Sequence, residues 1–222
     1  MSSTPTAEAM AQIVAVAAPL LKSAGFKKRR HTFNRRVEDG LVHLVNFQMG
    51  SYDPSGRPDV LAGIRVNMHG LFTINLGVFV PEMDRDGPPR SSWINDYDCQ
   101  LRKRIGELMP EQNDVWWPLD FEPSQEQAID AMRDMGLTWL GQFTNRQVIL
   151  DKFQAGDEEE LGMTPAAALD VADLLLATGN IQAAEQAVRD YLARDDVRRP
   201  HRDYVENEYL ELRNLRHLLD QA

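Results

Sequence analysis

The alternation of apolar and polar residues in the first half of the chain constrains its fold most strongly. In residues 71–80, LFTINLGVFV, every second side chain is apolar, and the intervening positions include Thr73 and Asn75. Residues 41–49, LVHLVNFQM, alternate in the same way and place Asn46 and Gln48 on the polar side. A period of two with one polar face is typical of antiparallel strands that helices cover on one side. The sequence therefore predicts an antiparallel sheet.

Turn signals divide this region into further strands. Glu38-Asp39-Gly40 predicts a hairpin between strands at 31–37 and 41–49, because acidic residues followed by glycine favour tight turns. A second turn, at His69-Gly70, would join a strand at 61–67 to the strand at 71–80. The alternation returns at 99–105, where Cys99, Leu101 and Ile105 share one predicted face. The sheet is thus expected to have four or five strands.

Helical periodicity surrounds these strands. Apolar residues recur at three- and four-residue spacing over 6–24, and helices are also predicted at 123–139 and 144–154. The predicted fold class is α+β, with an antiparallel sheet of four or five strands and helices packed on one face. This α+β domain is expected to occupy residues 1–153.

The remainder of the chain is predicted to be a separate helical extension. A charged linker at 154–163 precedes helices over 164–222, where Thr164-Pro165 forms a helix start and Gly179 a helix stop. The segment ALDVADLLLATGNIQAAEQAVRDYL resembles one tetratricopeptide hairpin, and Ala172 and Ala184 occupy small positions where its two helices would touch. A last helix at about 201–220 should present one apolar stripe, namely Val205, Tyr209, Leu212, Leu215 and Leu219.

Charge is distributed unevenly between the two parts. The whole chain has a net charge of −10, and residues 151–222 hold 8 basic and 16 acidic residues, which gives −8 for the extension and −2 for residues 1–150. An acidic surface suits a basic protein partner, and we expect such a complex to weaken as the salt concentration rises. A sequence pI near 5.0 argues against a general nucleic-acid-binding protein.

One basic segment, KKRRHTFNRR at 27–36, runs against this trend with six Lys or Arg residues and no carboxylate. Continuous alternation along a strand would put Lys28 and Arg30 on the side opposite Lys27 and Arg29. The cations would then not form one continuous track for a phosphate backbone. Local nucleic-acid binding through 27–36 is therefore kept as an alternative only.

We predict one candidate ligand or partner surface on the polar side of the sheet. Amides, hydroxyls and guanidiniums suit a carboxylate, a phosphate or an acidic peptide, because arginine donates two hydrogen bonds to either anion. The competing interpretation is the ordinary hydrated face of an antiparallel sheet. The candidate residues are Lys28, Arg30, Arg36, Asn46, Gln48, Arg65, Thr73, Asn75, Arg102, Arg104 and Trp117.

Trp116 and Trp117 are adjacent in this sequence and would point to opposite sides of an extended segment. One is therefore expected in the core, and the other at the rim of the site or facing the ligand.

Catalytic, cofactor and metal motifs are not recognised in the sequence. Cys99 with His43 is the one conceivable pair of nucleophile and base, and a buried thiol beside a hydrogen-bonded histidine is the preferred interpretation. A single cysteine fits a reducing compartment, and no segment suits membrane insertion, so a cytoplasmic protein without a cofactor is expected.

Four segments in order resemble a known bacterial family. They are GFKKRRHTFNRR after a short helix, then VNFQ, then FTINLGVF, and then CQLRKRIGEL followed by DVWWPL. Over roughly residues 10–150, this arrangement resembles the domain of unknown function 4304 (DUF4304) family. The resemblance implies a small α+β domain with an antiparallel sheet and transfers no catalytic residues.

These observations favour a non-catalytic binding or interaction protein, for which an immunity or regulatory role would suit the acidic extension. The first alternative is an enzyme for a small anionic substrate, which would use Arg36, Arg102 and Arg104 as anion clamps. The second alternative is the local nucleic-acid binding described above.

Overall fold

A computed structural model describes residues 4–50, 68–84, 92–157, 161–162, 167–195, 197 and 199–221. The predicted strand at 61–67, with Arg65, and the predicted helix start at Thr164-Pro165 lie outside the described residues. The described residues fall into two compact units: the first ends at Val80 and resumes over 92–148, and the second comprises 81–84 and the described residues from 149 onward. No described helix is both long enough and apolar enough to cross a membrane.

Six antiparallel strands form one sheet in the first unit, which confirms the α+β fold class. Their order is β1-β2-β3-β4-β5, and β6 also pairs with β4. Gly40, with φ of 75°, makes the turn between β2 and β3 as predicted. The strands are β1 (Lys27–Arg29), β2 (Thr32–Arg36), β3 (Val42–Met49), β4 (Leu71–Phe79), β5 (Leu101–Arg104) and β6 (Trp117–Pro118).

Helices occupy both ends of the sequence. Two of the helical regions described include a π-helical turn, at Met132–Gly136 and at Val205–Tyr209. Each π-helical turn adds one residue and so shifts the helical periodicity by one position. The α-helices are α1 (Pro5–Ser23), α2 (Glu122–Ala131), α3 (Leu137–Gln142), α4 (Arg146–Gln154), α5 (Ala167–Ala177), α6 (Ile181–Leu192), α7 (Arg199–Tyr204) and α8 (Leu210–Leu212).

One face of the sheet, here called the helical face, carries the apolar core of the first unit. Phe33, Val45 and Leu76 lie in register across β2, β3 and β4 and are buried. Two contacts show that the segment containing α3 covers this face. His43 Nε2 lies 2.7 Å from the carbonyl oxygen of Phe143, and a Cβ on Gly136 would lie 3.4 Å from Leu76 Cδ1.

The opposite face, here called the polar face, is covered in part by the described segment before β5. Val42, Leu44 and Phe79 on this face form an apolar cluster with Ile94 and Cys99, which come from the segment before β5. Cys99 was predicted to share the face of Leu101, and that prediction is wrong. A turn of 3-10 helix at Asp96–Asp98 interrupts the alternation before β5 begins, so the Cys99 thiol packs over Gly77 instead.

Gly77 makes this cover possible, and its replacement provides a test. A Cβ there would lie 2.6 Å from Cys99 Sγ and 2.8 Å from Cys99 Cβ, so Gly77→Ala should lower the free energy of unfolding by about 1–3 kcal/mol. Gly141→Ala is the matched control, because nothing lies within 4 Å of its added Cβ. Since Gly141 is in α3, alanine should stabilise the protein by up to about 1 kcal/mol. Urea unfolding of both variants measures the difference, and equal stabilities would refute this account of Gly77.

The second unit contains the predicted helical hairpin. Helices α5 and α6 are joined at Gly179, with φ of 81°, and Ala172 and Ala184 are both fully buried. A buried carboxylate reinforces this unit: Asp173 accepts hydrogen bonds from Tyr209 Oη at 2.9 Å and from Arg213 Nε and Nη2, each at 2.9 Å.

The predicted apolar stripe of the last helix is correct at Val205, Tyr209 and Leu215 and wrong at Leu212 and Leu219. Val205 and Tyr209 are buried, but Leu212 is 66% exposed, and Leu210 is buried in its place. The π-helical turn at Val205–Tyr209 inserts one extra residue per turn, so the periodicity of an α-helix no longer predicts the buried side after it.

Candidate functional site

The register of the sheet aligns four of the polar side chains in one row across the polar face. Thr32 pairs with Asn46, Asn46 with Asn75, and Asn75 with Arg104, across β2, β3, β4 and β5. Because alternate residues of a strand share a face, Arg36, Gln48, Thr73 and Arg102 are also on this side. The predicted co-location of these residues therefore holds in the structure.

The amides of this row bind one another. Asn75 Nδ2 donates to Gln48 Oε1 at 2.8 Å and to Asn46 Oδ1 at 3.3 Å. Asn46 Nδ2 in turn donates to Thr32 Oγ1 at 2.9 Å. These hydrogen bonds fix the orientation of each amide and occupy the acceptor oxygens of Gln48 and Asn46. Among the described residues, the Gln48 amide nitrogen has no acceptor, so it is available to donate to a ligand.

The arginines of the polar face do not converge on one point. Arg102 Nη2 lies 3.2 Å from Asp96 Oδ2, and Arg104 forms an ion pair with Asp114. Both line a hollow of about 210 Å³ that also includes Gln48 and Asn75. Arg36 lies three strands away from β5, which is roughly 14 Å at the usual strand spacing. It lines a different hollow with Lys27 and Ser92.

The two adjacent tryptophans point to opposite faces, as predicted, but their roles are exchanged. Trp117 is 3% exposed, contacts the Phe72 ring and donates from Nε1 to Gln127 Oε1 at 2.9 Å. It belongs to the core, so its selection as the ligand-facing tryptophan is wrong. Trp116 is on the polar side, where the Arg104 guanidinium lies 5.2 Å from the centre of its ring.

The basic segment folds differently from the predicted continuous strand. Residues 27–29 form β1, which turns at Arg30-His31 and pairs back with β2, so that Lys27 is opposite Asn34 and Arg29 is opposite Thr32. Pairing residues share a face, and therefore Lys27 and Arg29 are on the polar face. Lys28 is on the side opposite Lys27 and Arg29, as predicted, but its predicted place on the polar face is wrong, because it pairs with the core residue Phe33.

The turn itself is unusual, because Arg30 has φ of 54°. This left-handed conformation costs a residue with a side chain roughly 1 kcal/mol and is ordinarily occupied by glycine or asparagine. The conformation brings the Arg30 side chain to the end of the β1–β2 hairpin. Because an arginine occupies this strained backbone conformation, we treat the Arg30 side chain as a candidate functional group.

A cleft opens at this end of the hairpin, where β3 extends beyond β2. It has a volume of about 890 Å³ and is here called the hairpin cleft. It brings together four of the predicted surface residues, Lys28, Arg30, Asn46 and Gln48. The lining is Ala11, Val14, Lys28, Arg30, His31, Thr32, Asn46, Phe47, Gln48 and Asn95.

The electrostatics of the hairpin cleft favour an anion. Lys28 and Arg30 are exposed, and neither side chain has a hydrogen bond or an ion pair to another residue of the described chain. The pKa of His31 is lowered, first by burial and then by repulsion from Lys28 and Arg30. An anion bound between these groups would offset that repulsion, and none of the lining residues is a carboxylate that would oppose it.

The pair of Cys99 and His43 is not a nucleophile and base in this fold. Cys99 packs over Gly77 on the polar face, whereas His43 pairs with Val78 and is on the helical face. Burial raises the pKa of the Cys99 thiol far above its ordinary range. Both ring nitrogens of His43 are occupied, by the Phe143 carbonyl and by Arg35 Nη2 at 2.9 Å.

No metal-binding group of three or more His, Cys, Asp or Glu side chains occurs within the described ranges.

Sequence patterns could have indicated part of the hairpin cleft. His31 follows four consecutive cations, which is a recognisable setting for a histidine with a lowered pKa. Asn95 and the α1 residues Ala11 and Val14 carry no such signal, because only the folded chain brings them to the hairpin.

Comparison with known proteins identifies the family of the sheet-containing unit. Neither the curated proteins nor the solved structures include a match to this chain. A family model, described as a domain of unknown function (DUF4304), matches residues 17–136, which are 120 of the 222 residues. That range includes β1 to β6, α2 and the residues that line the hairpin cleft, except Ala11 and Val14 of α1. The chain therefore belongs to the DUF4304 family.

Proposed function

We propose that this protein is a non-catalytic binding protein of the bacterial cytoplasm, and that its hairpin cleft receives an anionic group of the ligand or partner. One observation carries the proposal: the side chains of Lys28 and Arg30 have no partner in the described chain, and they flank a cleft whose described lining includes no carboxylate. Cations at such a site favour an anion both by direct attraction and by hydrogen bonding.

The enzyme alternative receives less support from the geometry. It requires Arg36, Arg102 and Arg104 around one substrate, but Arg36 lines a separate hollow, and the other two have carboxylate partners. An arginine that is already paired must release its partner before it can bind a substrate anion, which weakens the attraction.

Local nucleic-acid binding is also less well supported. The hairpin directs Lys27 and Arg29 to one side and Lys28 to the other, so the cations do not form a continuous track. β1 is an edge strand of the sheet, and exposed cations on an edge strand also prevent pairing with other chains. That role explains Lys27 and Arg29 without a nucleic acid.

The test removes the charges on the two sides of the hairpin separately. In Lys28→Ala/Arg30→Asn the cleft loses both cations, and asparagine keeps a side chain that tolerates the turn conformation. Lys27→Ala/Arg29→Ala removes the same charge from the other face of β1 and serves as the matched control. Inorganic phosphate at about ten times its dissociation constant should stabilise the wild type and the control by about 1.4 kcal/mol, and should not stabilise the cleft variant. Thermal unfolding with and without phosphate measures this effect.

Three results would contradict the proposal: no stabilisation of the wild type by phosphate, an equal effect in the cleft variant, or a loss confined to the control. A potassium chloride series at matched ionic strength separates specific binding from general screening, because screening acts on both variants alike.

A basic protein partner for the second unit is a second proposal, which a different observation favours. Asp203, Glu206 and Glu208 lie on neighbouring turns and have no cationic partner in the described part of the chain. Together with the net charge of −8 over residues 151–222, they would attract a basic surface such as that of a nuclease toxin. An immunity or regulatory role is consistent with this attraction. A complex of this kind should dissociate as the salt concentration rises.

A further inference from the structure

The size of the hairpin cleft favours a small molecule over a simple ion as its ligand. Pockets that bind small molecules and cofactors usually have volumes of about 300–1,000 Å³, and the hairpin cleft has about 890 Å³. A phosphate ion would occupy only the part of this volume beside the cations. The remaining space has room for a ligand with a body attached to its anionic group.

Side chains in the cleft divide into a charged part and an amide part. Lys28, Arg30 and His31 come from the hairpin, whereas Asn46 and Gln48 come from β3 and Asn95 from the segment before β5. Two full positive charges with a histidine beside them suit a phosphate, which carries close to two negative charges near pH 7, better than a single carboxylate.

The amide part presents hydrogen-bond donors to the ligand. The chain of hydrogen bonds from Asn75 occupies Gln48 Oε1 and Asn46 Oδ1, which leaves the Gln48 amide nitrogen free to donate. The Thr32 hydroxyl accepts from Asn46 and therefore keeps its own hydrogen for a ligand oxygen. These donors match the oxygens of hydroxyl groups.

Aromatic stacking is not available in the cleft. Among the lining residues that the structure describes, Phe47 is the only aromatic ring apart from the His31 imidazole, and Phe47 is 1% exposed. Nucleobases usually bind in proteins by stacking on an exposed ring, which makes a nucleotide a poor match. A hydroxyl-rich body needs only the amides and the small apolar patch of α1.

We propose that the hairpin cleft binds a phosphorylated, hydroxyl-rich small molecule such as a sugar phosphate, with its phosphate between Lys28 and Arg30 and its hydroxyls at Gln48 and Thr32. This inference rests on the proposed anion-binding function and adds the ligand class to it.

The experiment compares probes by titration calorimetry of the full chain. A hexose monophosphate should bind at least tenfold more tightly than inorganic phosphate, and the unphosphorylated hexose should show no binding at the same concentrations. Gln48→Ala and Thr32→Val should each remove most of the tenfold advantage and leave the affinity for inorganic phosphate unchanged. Lys28→Ala/Arg30→Asn should remove binding of both phosphates.

Other outcomes separate this inference from the proposed function. Equal affinities for hexose monophosphate and inorganic phosphate would overturn the ligand class, although the anion site would stand. Tighter binding of adenosine monophosphate, citrate or a single-stranded oligonucleotide would overturn it in the same way. No binding of any anion would overturn both proposals. Far-ultraviolet circular dichroism of each variant confirms that a lost affinity does not reflect a lost fold.

Discussion

Asp173→Ala is expected to lower the free energy of unfolding of the second unit by about 3–5 kcal/mol. The Asp173 side chain is 5% exposed and accepts two hydrogen bonds from Arg213 and one from Tyr209. Removal of the carboxylate leaves a guanidinium and a hydroxyl without their partner, and the loss of one member of a buried ion pair usually costs about this much. The Asp173 carboxylate raises the pKa of Arg213, which agrees in direction with a stabilising interaction.

Two spectroscopic signals can report the units separately. All four tryptophans, Trp93, Trp116, Trp117 and Trp139, are in the first unit, so tryptophan fluorescence follows that unit alone. Circular dichroism at 222 nm, a wavelength at which α-helices absorb, follows the helices of both units. In urea, Asp173→Ala should shift the circular dichroism transition to lower concentration.

The matched control is Asp203→Ala, in the same unit. Asp203 is exposed and has no cationic partner among the described residues, so its removal should change the stability by less than about 0.5 kcal/mol. Similar shifts for both variants would show that the buried ion pair contributes little. Arg213→Met tests the other side of the pair, and a double mutant with Asp173→Ala measures the coupling between them.

The strands of the sheet were predictable because their signals are local. In β3 and β4 the alternation continues over 8 and 9 residues, and Gly40 marks the turn before β3. The pairing that aligns Asn46 with Asn75 follows from antiparallel order and from the need to bury one face. Most of the polar face could therefore be predicted from the sequence.

The hairpin cleft was not predictable, since it depends on a turn without a turn sequence. Arg30-His31 contains neither glycine nor asparagine, so the segment was predicted to continue as one strand. The reversal at Arg30 puts Lys27 and Arg29, rather than Lys28, on the polar face, and it forms the end of the hairpin at which the cleft opens. In the same way, the 3-10 turn before β5 moved Cys99 to the polar face, and the π-helical turn exposed Leu212.

Acidification should destabilise the first unit through His43, by about 3 kcal/mol between pH 6.5 and pH 4. Burial lowers the pKa of His43 from 6.5 to about 4, and the nearby Arg35 charge contributes in the same direction, whereas the hydrogen bond to Phe143 opposes them. Arg35 donates to Nδ1, so the neutral ring carries its proton on Nε2 and donates it to the Phe143 carbonyl. A second proton would have to bind Nδ1, which already accepts the hydrogen bond from Arg35 and faces its positive charge.

The sign follows from the lowered pKa. The unfolded chain binds a proton at His43 below about pH 6.5 and the folded protein only below about pH 4, so the unfolded state binds more protons in between. The contribution of His43 to stability is complete above pH 6.5, falls as the pH decreases, and does not change further below pH 4. A difference of about 2.5 pKa units corresponds to about 3 kcal/mol.

Because carboxylates also titrate in this range, the measurement must compare variants rather than one curve. The free energy of unfolding from urea titrations, followed by tryptophan fluorescence, should fall more steeply with acid in the wild type than in His43→Gln, which cannot take up a proton there. His217→Gln is the control, because His217 is 46% exposed beside Glu185 in the second unit and should leave the fluorescence-detected curve unchanged. If the wild type and His43→Gln lose stability in parallel between pH 6.5 and pH 4, His43 is not the group that makes the first unit sensitive to acid.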